Sequence, residues 1–381
     1  MKKLIYTASF LLIASGLITS HVSAQSDMSL FLRTGLNDGN KLLDAYSTPL
    51  LKSFGAGLNA GWFNTAKVHG LGGFDITIAP NITFAPKSDQ TFDFNTLGLS
   101  SQVRLAPGQG NTFQSVFGSD KKADVELVAR YPGSTQDSAR RVSLPGGIGL
   151  NLFVVPTAQI AVGIGFGTEI AIRFLPQVGV SDAKIGMFGF AVKHDFKRWI
   201  PAIKELPFDL SAMFGYTSMN ASVKATSLQA DGQSRTTYNP NPGKSYSQET
   251  EFTSSAYTFN VLLSKKIAFF TPYLGLGYQA ATTTLKLKGE YPVTDINSSF
   301  DPTYGGTGVY DPSVKNHHPQ YVNEIKDPIS IDGKLSGARA TLGFRLKFGP
   351  MTFHTDYTFA EYDVASIGLG VNIQALVPFK L

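Results

Sequence analysis

The 381-residue chain carries 33 Lys and Arg against 28 Asp and Glu, a formal charge of +5, and no cysteine. So mild a balance offers nothing to nucleic acid or to a strongly acidic partner, and the missing thiols exclude disulfides and a lipidated N-terminus. With 38 Gly, 28 Phe and 15 Tyr, 16% charged residues and no long apolar run beyond the N-terminus, a helical membrane protein is excluded; an all-β protein, soluble or membrane-inserted, remains.

Lys2 and Lys3, the apolar run from Leu4 to Ile18 and the small residues Val22-Ser23-Ala24 predict a secretory signal peptide over 1–24. The run is shorter than the ~20 residues an uncleaved anchor needs. Taking 24 from 381 residues leaves 357, and losing two lysines and no acids lowers the charge to +3. In residues 25–53, Asn37 or Asp38 can cap a short helix through Leu42, Leu43 and Tyr46, interrupted at Pro49. This segment reads as a plug inside or under a barrel, or as a periplasmic arm.

From Phe54 the period becomes two, and residues 54–381 read as the barrel. Phe54, Ala56, Leu58, Ala60 and Trp62 oppose Gly55, Gly57, Asn59 and Gly61; Phe74, Ile76, Ile78, Ile82 and Phe84 oppose Asp75, Thr77, Asn81 and Thr83. Weaker strands follow over Gln90 to Leu99 and Asp124 to Tyr131, then clearer ones from Thr157 to Gly163, Thr168 to Val180, Ile185 to Lys193 and Phe208 to Tyr216. Between the last two, Phe196, Trp199, Ile200, Ile203 and Leu206 recur at helical spacing with Lys197, Arg198 and Lys204 opposite, predicting a short amphipathic helix at a membrane interface. The final strands centre on Phe259, Leu276, Leu342, Phe353 and Leu369.

These thirteen segments fall one short of an even number, so the fold expected is a transmembrane antiparallel β-barrel of about 14 strands, with 12 as the alternative. If the last strand descends to the periplasm, the turns at Gly349-Pro350 and Lys265-Lys266 and the amphipathic helix are periplasmic, and the long connections Ala225 to Thr250 and Gly289 to Ser330 are extracellular. With the apolar faces outward, Asp75, Glu169, Arg173, Asp209, Asn260, Arg339, Arg345, His354 and Asp356 line the lumen. A soluble sandwich would show the same alternation with the apolar face turned into its core.

No enzymatic motif is present. Gly163-Ile164-Gly165-Phe166-Gly167 lacks the strand, helix and acidic partner of a phosphate loop and reads as a hairpin. His317-His318 is a weak metal candidate, and the His354 and Asp356 pair, which a two-residue turn would set near Arg345, reads first as compensated charge across a barrel wall. The expectation is therefore a non-enzyme with no cofactor and no metal.

The segments GAGLNAGWFNTAK with GGFDITI, and KHDFKRWIPAIKELPFDLSAMFGYT, resemble an uncharacterised family of Bacteroidota outer-membrane proteins over most of the mature chain. That family is similar in architecture to the FadL group of hydrophobic-compound channels, a resemblance that implies fourteen strands and an N-terminal hatch. The FadL hatch signature Asn-Pro-Ala is not matched: Pro49-Leu50-Leu51 and Asn64-Thr65-Ala66 stand here instead, so no ligand residue carries over. The function expected is a passive channel for small hydrophobic molecules, with outer-membrane lipid as its surroundings. A general porin, or a barrel anchoring unidentified surface or secreted proteins through the 289–330 loop, remains open.

Overall fold

The computed structural model describes residues 36–129, 138–180, 182–225, 237–301, 303 and 310–373. The expected signal peptide, the segment up to residue 35 and parts of the long connections lie outside the described residues. In chain order the elements are helix α1 (Leu36–Asn59), then β1 (Phe74–Phe84), β2 (Thr91–Asp93), β3 (Val103–Leu105), β4 (Thr112–Gln114), β5 (Ala123–Ala129) and β6 (Ser138–Leu144). Next come β7 (Leu152–Gly165), β8 (Thr168–Val180), β9 (Ala183–Asp195), β10 (Asp209–Ala225), β11 (Thr237–Tyr238), β12 (Gln248–Ser264) and β13 (Phe270–Ile296). The last are β14 (Gln320–Lys326), β15 (Ile329–Phe348), β16 (Met351–Phe359) and β17 (Asp363–Ile373).

Strands β1, β7, β8, β9, β10, β12, β13, β15, β16 and β17 pair antiparallel, each with the next, and β17 returns to β1. Closure leaves the ring without a free edge. Among the described residues the ring therefore has ten strands, correcting the expected fourteen or twelve. The three surplus segments have separate fates. Gln90 to Leu99 and Asp124 to Tyr131 contribute to two small sheets, β2 with β4 and β3 with β5 and β6, outside the ring. Phe54 to Asn59 is the carboxyl end of α1.

The outward residues are apolar through the middle of the ring, as at Ile76, Ile160, Phe190, Phe214, Phe259, Leu276, Leu342 and Leu369. At the edges aromatics gather: Phe166, Trp199, Phe269 and Phe348 at one end, Tyr257, Tyr278 and Phe359 at the other. Past the second edge the outward series turns polar, through Ser336, Lys334 and Asp332 on β15 and Ser255, Thr253 and Glu251 on β12. An apolar band of about 25 Å between aromatic girdles is the exterior of a membrane barrel, not of a soluble sandwich.

The first end carries short turns at Phe166-Gly167, 196–208, 265–269 and Gly349-Pro350, and the chain enters β1 and leaves β17 there. At the opposite end lie the long connections 85–151, 226–247 and 297–328, with β13 and β15 running beyond the band. There the small sheets fold over the first half of α1, burying Leu42, Leu43 and Leu51 against Phe94, Phe113 and Val125.

Helix α1 touches β1, β7, β10, β12, β13, β15 and β17, so it stands inside the ring. Its amino end lies at the long-loop end, where Asp38 accepts from the Ser100 backbone N–H (3.0 Å) and Asn40 donates to the Pro328 carbonyl (3.3 Å). The helix descends to the upper edge of the band, and residues 60–73 continue down the lumen to the short-turn end.

Candidate functional site

A helix ends with carbonyls that have no partner of their own and with the negative pole of its dipole. Here two guanidiniums from opposite walls meet those carbonyls. Arg173 on β8 donates to the Leu58 (2.8 Å) and Ala60 (2.7 Å) carbonyls and to Gln159 Oε1 (3.0 Å), while Arg339 on β15 donates to the Asn59 carbonyl (2.8 Å). Both are buried. Among the described residues neither has a carboxylate within ion-pair distance, so the carbonyls of the helix end are the acceptors that both guanidiniums share. Arg173 also lies over the Trp62 ring, 3.7 Å from its centroid, and Trp62 in turn fills space left by Gly189 and Gly215.

Lower in the lumen the descending segment is tied to several walls. Asn64 Oδ1 accepts from Arg345 (3.0 Å), and the Ala66 N–H donates to Ser264 Oγ (3.1 Å). His69 Nδ1 lies 2.6 Å from Glu169 Oε2, whose other oxygen pairs with Lys193 at 2.8 Å. Asn372 Nδ2 reaches both His69 Nε2 (2.5 Å) and Asp75 Oδ2 (3.0 Å). Both ring nitrogens of His69 are thus within hydrogen-bond distance of a partner, Nδ1 of Glu169 and Nε2 of Asn372. Across the wall Arg345 pairs with His354, and Tyr273 donates to Asp356 Oδ2 (2.8 Å) past Gly343, where a Cβ would stand 2.6 Å from the Tyr273 ring.

The residues expected in the lumen sit on the inward face, and most meet the plug or each other. Arg173, Arg339, Arg345, Glu169 and Asp75 form the two networks above. Asn260 bonds Thr258 (2.9 Å), Asp209 sits half-buried at the short-turn rim, and His354 lies flat against Gly368 with neither ring nitrogen bonded to another side chain or backbone group. The Arg345 to His354 register matches the one the Gly349-Pro350 turn predicts, with Asp356 on the diagonal. Lys193, His69, Asn64 and Asn372 were not among the expected residues. Lys193 shares its face with Gly189 and Ala191, which was signal enough; the others depend on a descending segment that alternation disguises as a strand.

The amphipathic helix is corrected. Lys197–Trp199 forms a single 3-10 turn followed by irregular turns, because Pro201 lacks a backbone donor just where an α-helix would continue. Trp199 is 69% exposed and packs on His194, with ring centroids 4.8 Å apart, while Phe196 and Ile203 are half-buried. Lys197 donates to the carbonyls of Leu206 and Phe208 (2.6 Å to the second), so it closes the turn instead of facing the phosphate layer; Arg198 covers Gly167, and Lys204 lies 3.8 Å from Glu205. His318 is buried at the long-loop end between Tyr238 and Tyr310. Among the described residues no group of three or more His, Asp or Glu could hold a metal.

A closed antiparallel ring with an apolar belt, aromatic edges and a polar, helix-filled lumen defines a membrane-spanning β-barrel of the outer-membrane type. More particularly, the chain belongs to a family of unknown function (DUF6588), whose model matches residues 1–373. No curated protein matches it. Similar solved structures include the translocator domain of the autotransporter NalP from Neisseria meningitidis, 10% identical, covering 80% of this chain and 89% of that one at a TM-score of 0.26. The outer-membrane protease OmpT from Escherichia coli is 9% identical, covering 79% and 97% at 0.26. The transport unit of the autotransporter AIDA-I from Escherichia coli is 8% identical, covering 87% and 99% at 0.25. Likenesses this slight identify no function.

Proposed function

We propose that this protein is a passive outer-membrane channel held closed by its own helix and the segment that follows. The observation that carries the reading is the clamp of Arg173 and Arg339 on the carboxyl end of α1. Three hydrogen bonds from buried cations hold the helix end, each worth about 1.5–3 kcal/mol against an unpaired carbonyl. A general porin needs an open lumen, and here the plug occupies it. Short turns on the side of both strand termini point that end to the periplasm and the long-loop head outward.

The test is conductance in planar bilayers. Wild type is expected to be closed for most of the record, and Arg173→Gln with Arg339→Gln to lengthen the openings. Silence from both proteins counts against a channel and favours a barrel that presents its outer head to a partner.

The hydrophobic cargo implied by the FadL resemblance draws support from the outer surface, not from the lumen. Where β8 and β9 slip register between Leu175 and Val178, a groove of about 300 Å³ is lined by Phe174, Pro176, Met187 and Phe188. Pro176 cannot donate to the ladder, which weakens the wall there. Uptake of a fluorescent alkyl probe by cells should fall when Gly186→Trp fills the groove; unchanged uptake removes this cargo.

A further inference from the structure

Resting on the channel reading above, we infer that Arg173 and Arg339 form an oxyanion-binding site in the lumen, which the helix end occupies when the channel is closed. A buried arginine without a carboxylate is costly unless something else supplies negative charge. On β8 and β15, five strands apart in a ring of ten, the pair faces across the full width of the lumen. The three backbone carbonyls it holds carry the partial negative charge of a helix terminus. Those carbonyls stand in the place of a carboxylate or phosphate group.

Neighbouring acids do not neutralise the pair. Asp356 is the acid whose charge reaches Arg339, but it stands beyond ion-pair distance, with its Oδ2 on the Tyr273 hydroxyl (2.8 Å), and Glu169 is matched one layer down by Lys193 at 2.8 Å. Lower still, Arg345 and Asp75 are both held within the networks of the descending segment. The layer at the helix end is therefore one where two cations meet on backbone carbonyls, with Gln159, Thr258, Gln279 and Thr358 as their uncharged side-chain acceptors. When the helix withdraws, the guanidinium forks are left to a solute bearing a carboxylate or phosphate, for which their geometry is suited. Two arginines facing into the lumen at one layer also favour anions over cations.

Two measurements on the full chain test this. In the first, Trp199→Phe leaves Trp62, against which Arg173 packs, as the remaining one of two tryptophans. Citrate, titrated against chloride at constant ionic strength, should change Trp62 emission saturably. The response should vanish in Arg173→Gln with Arg339→Gln and persist in Arg173→Lys with Arg339→Lys, which keeps the charge if the glutamine pair folds poorly. A response that is absent, or equal in the glutamine variant, overturns the site. In the second, the reversal potential in a KCl gradient should have the sign of chloride permeation in wild type and move toward potassium in the glutamine variant. Openings with the same reversal potential in both overturn it, whereas citrate binding without any conductance retains the site and rejects the channel.

Discussion

Gly55 and Gly57 stand where the wall comes close to the helix. A Cβ on Gly57 would lie 2.4 Å from Val155 Cγ2, and one on Gly55 would lie 2.5 Å from the Ala281 Cβ. In an open helix, Gly→Ala gains about 1 kcal/mol. Inside this ring the sign should reverse, and Gly57→Ala should cost roughly 1–3 kcal/mol through overpacking. The midpoint of heat-dependent gel mobility reads it, and a raised midpoint would contradict the enclosure of α1. The same glycines explain why the carboxyl part of the helix, from Phe54, was illegible while the part through Leu42, Leu43 and Tyr46 was read. Where strands wrap it on all sides, over 53–59, the helix has no polar face, so its 3.6-residue period disappears, and small residues placed for clearance leave an accidental period of two.

At the scale of elements, the ring strands were legible because one face meets lipid and the other a polar lumen, as at Phe259 and Leu276 against Asn260 and Gly277. The tight Gly349-Pro350 turn fixed its register as well. The small sheets over α1 were not, since β2, β3 and β4 are three residues each and too short to show any period. The clamp was half legible: alternation put Arg173 and Arg339 in the lumen, but their partners are backbone carbonyls, which carry no residue identity.

In the outer head Lys244 bridges Glu290 (2.9 Å) and Glu324 (2.8 Å), and Tyr246 donates to Glu324 (2.9 Å). The Lys244 and Tyr246 hydrogen bonds lower the Glu324 pKa below 4.5. A carboxyl lowered on folding stabilises the folded form above pH 4.5, and that contribution is lost as pH falls through the folded value. Lys244 is raised by Glu324 and then Glu290, so its contribution is present at neutral pH and lost only as pH climbs through that raised value. Hydrogen exchange of β14, corrected for intrinsic rates, should therefore rise below pH 4.5, and Glu324→Gln should raise it already at neutral pH. Exchange that is flat across that range would show that the bridge does not hold the head.

For the whole molecule, the direction of threading matters most. The helix begins at the long-loop end, ends at the two arginines and continues as a single strand of chain to the short-turn end, so the segment inside the ring is held at both ends of the barrel. On the proposed orientation, with the long loops outward, Asn37 lies on the outer side. Because the natural chain has no cysteine, single substitutions report on topology without background. The most direct measurement is labelling of Asn37→Cys and Lys266→Cys in intact cells with a membrane-impermeant maleimide, before and after permeabilisation. A barrel threaded from its outer end predicts that Asn37→Cys labels in intact cells and Lys266→Cys only after permeabilisation; the reverse pattern, or equal labelling of both in intact cells, would contradict it.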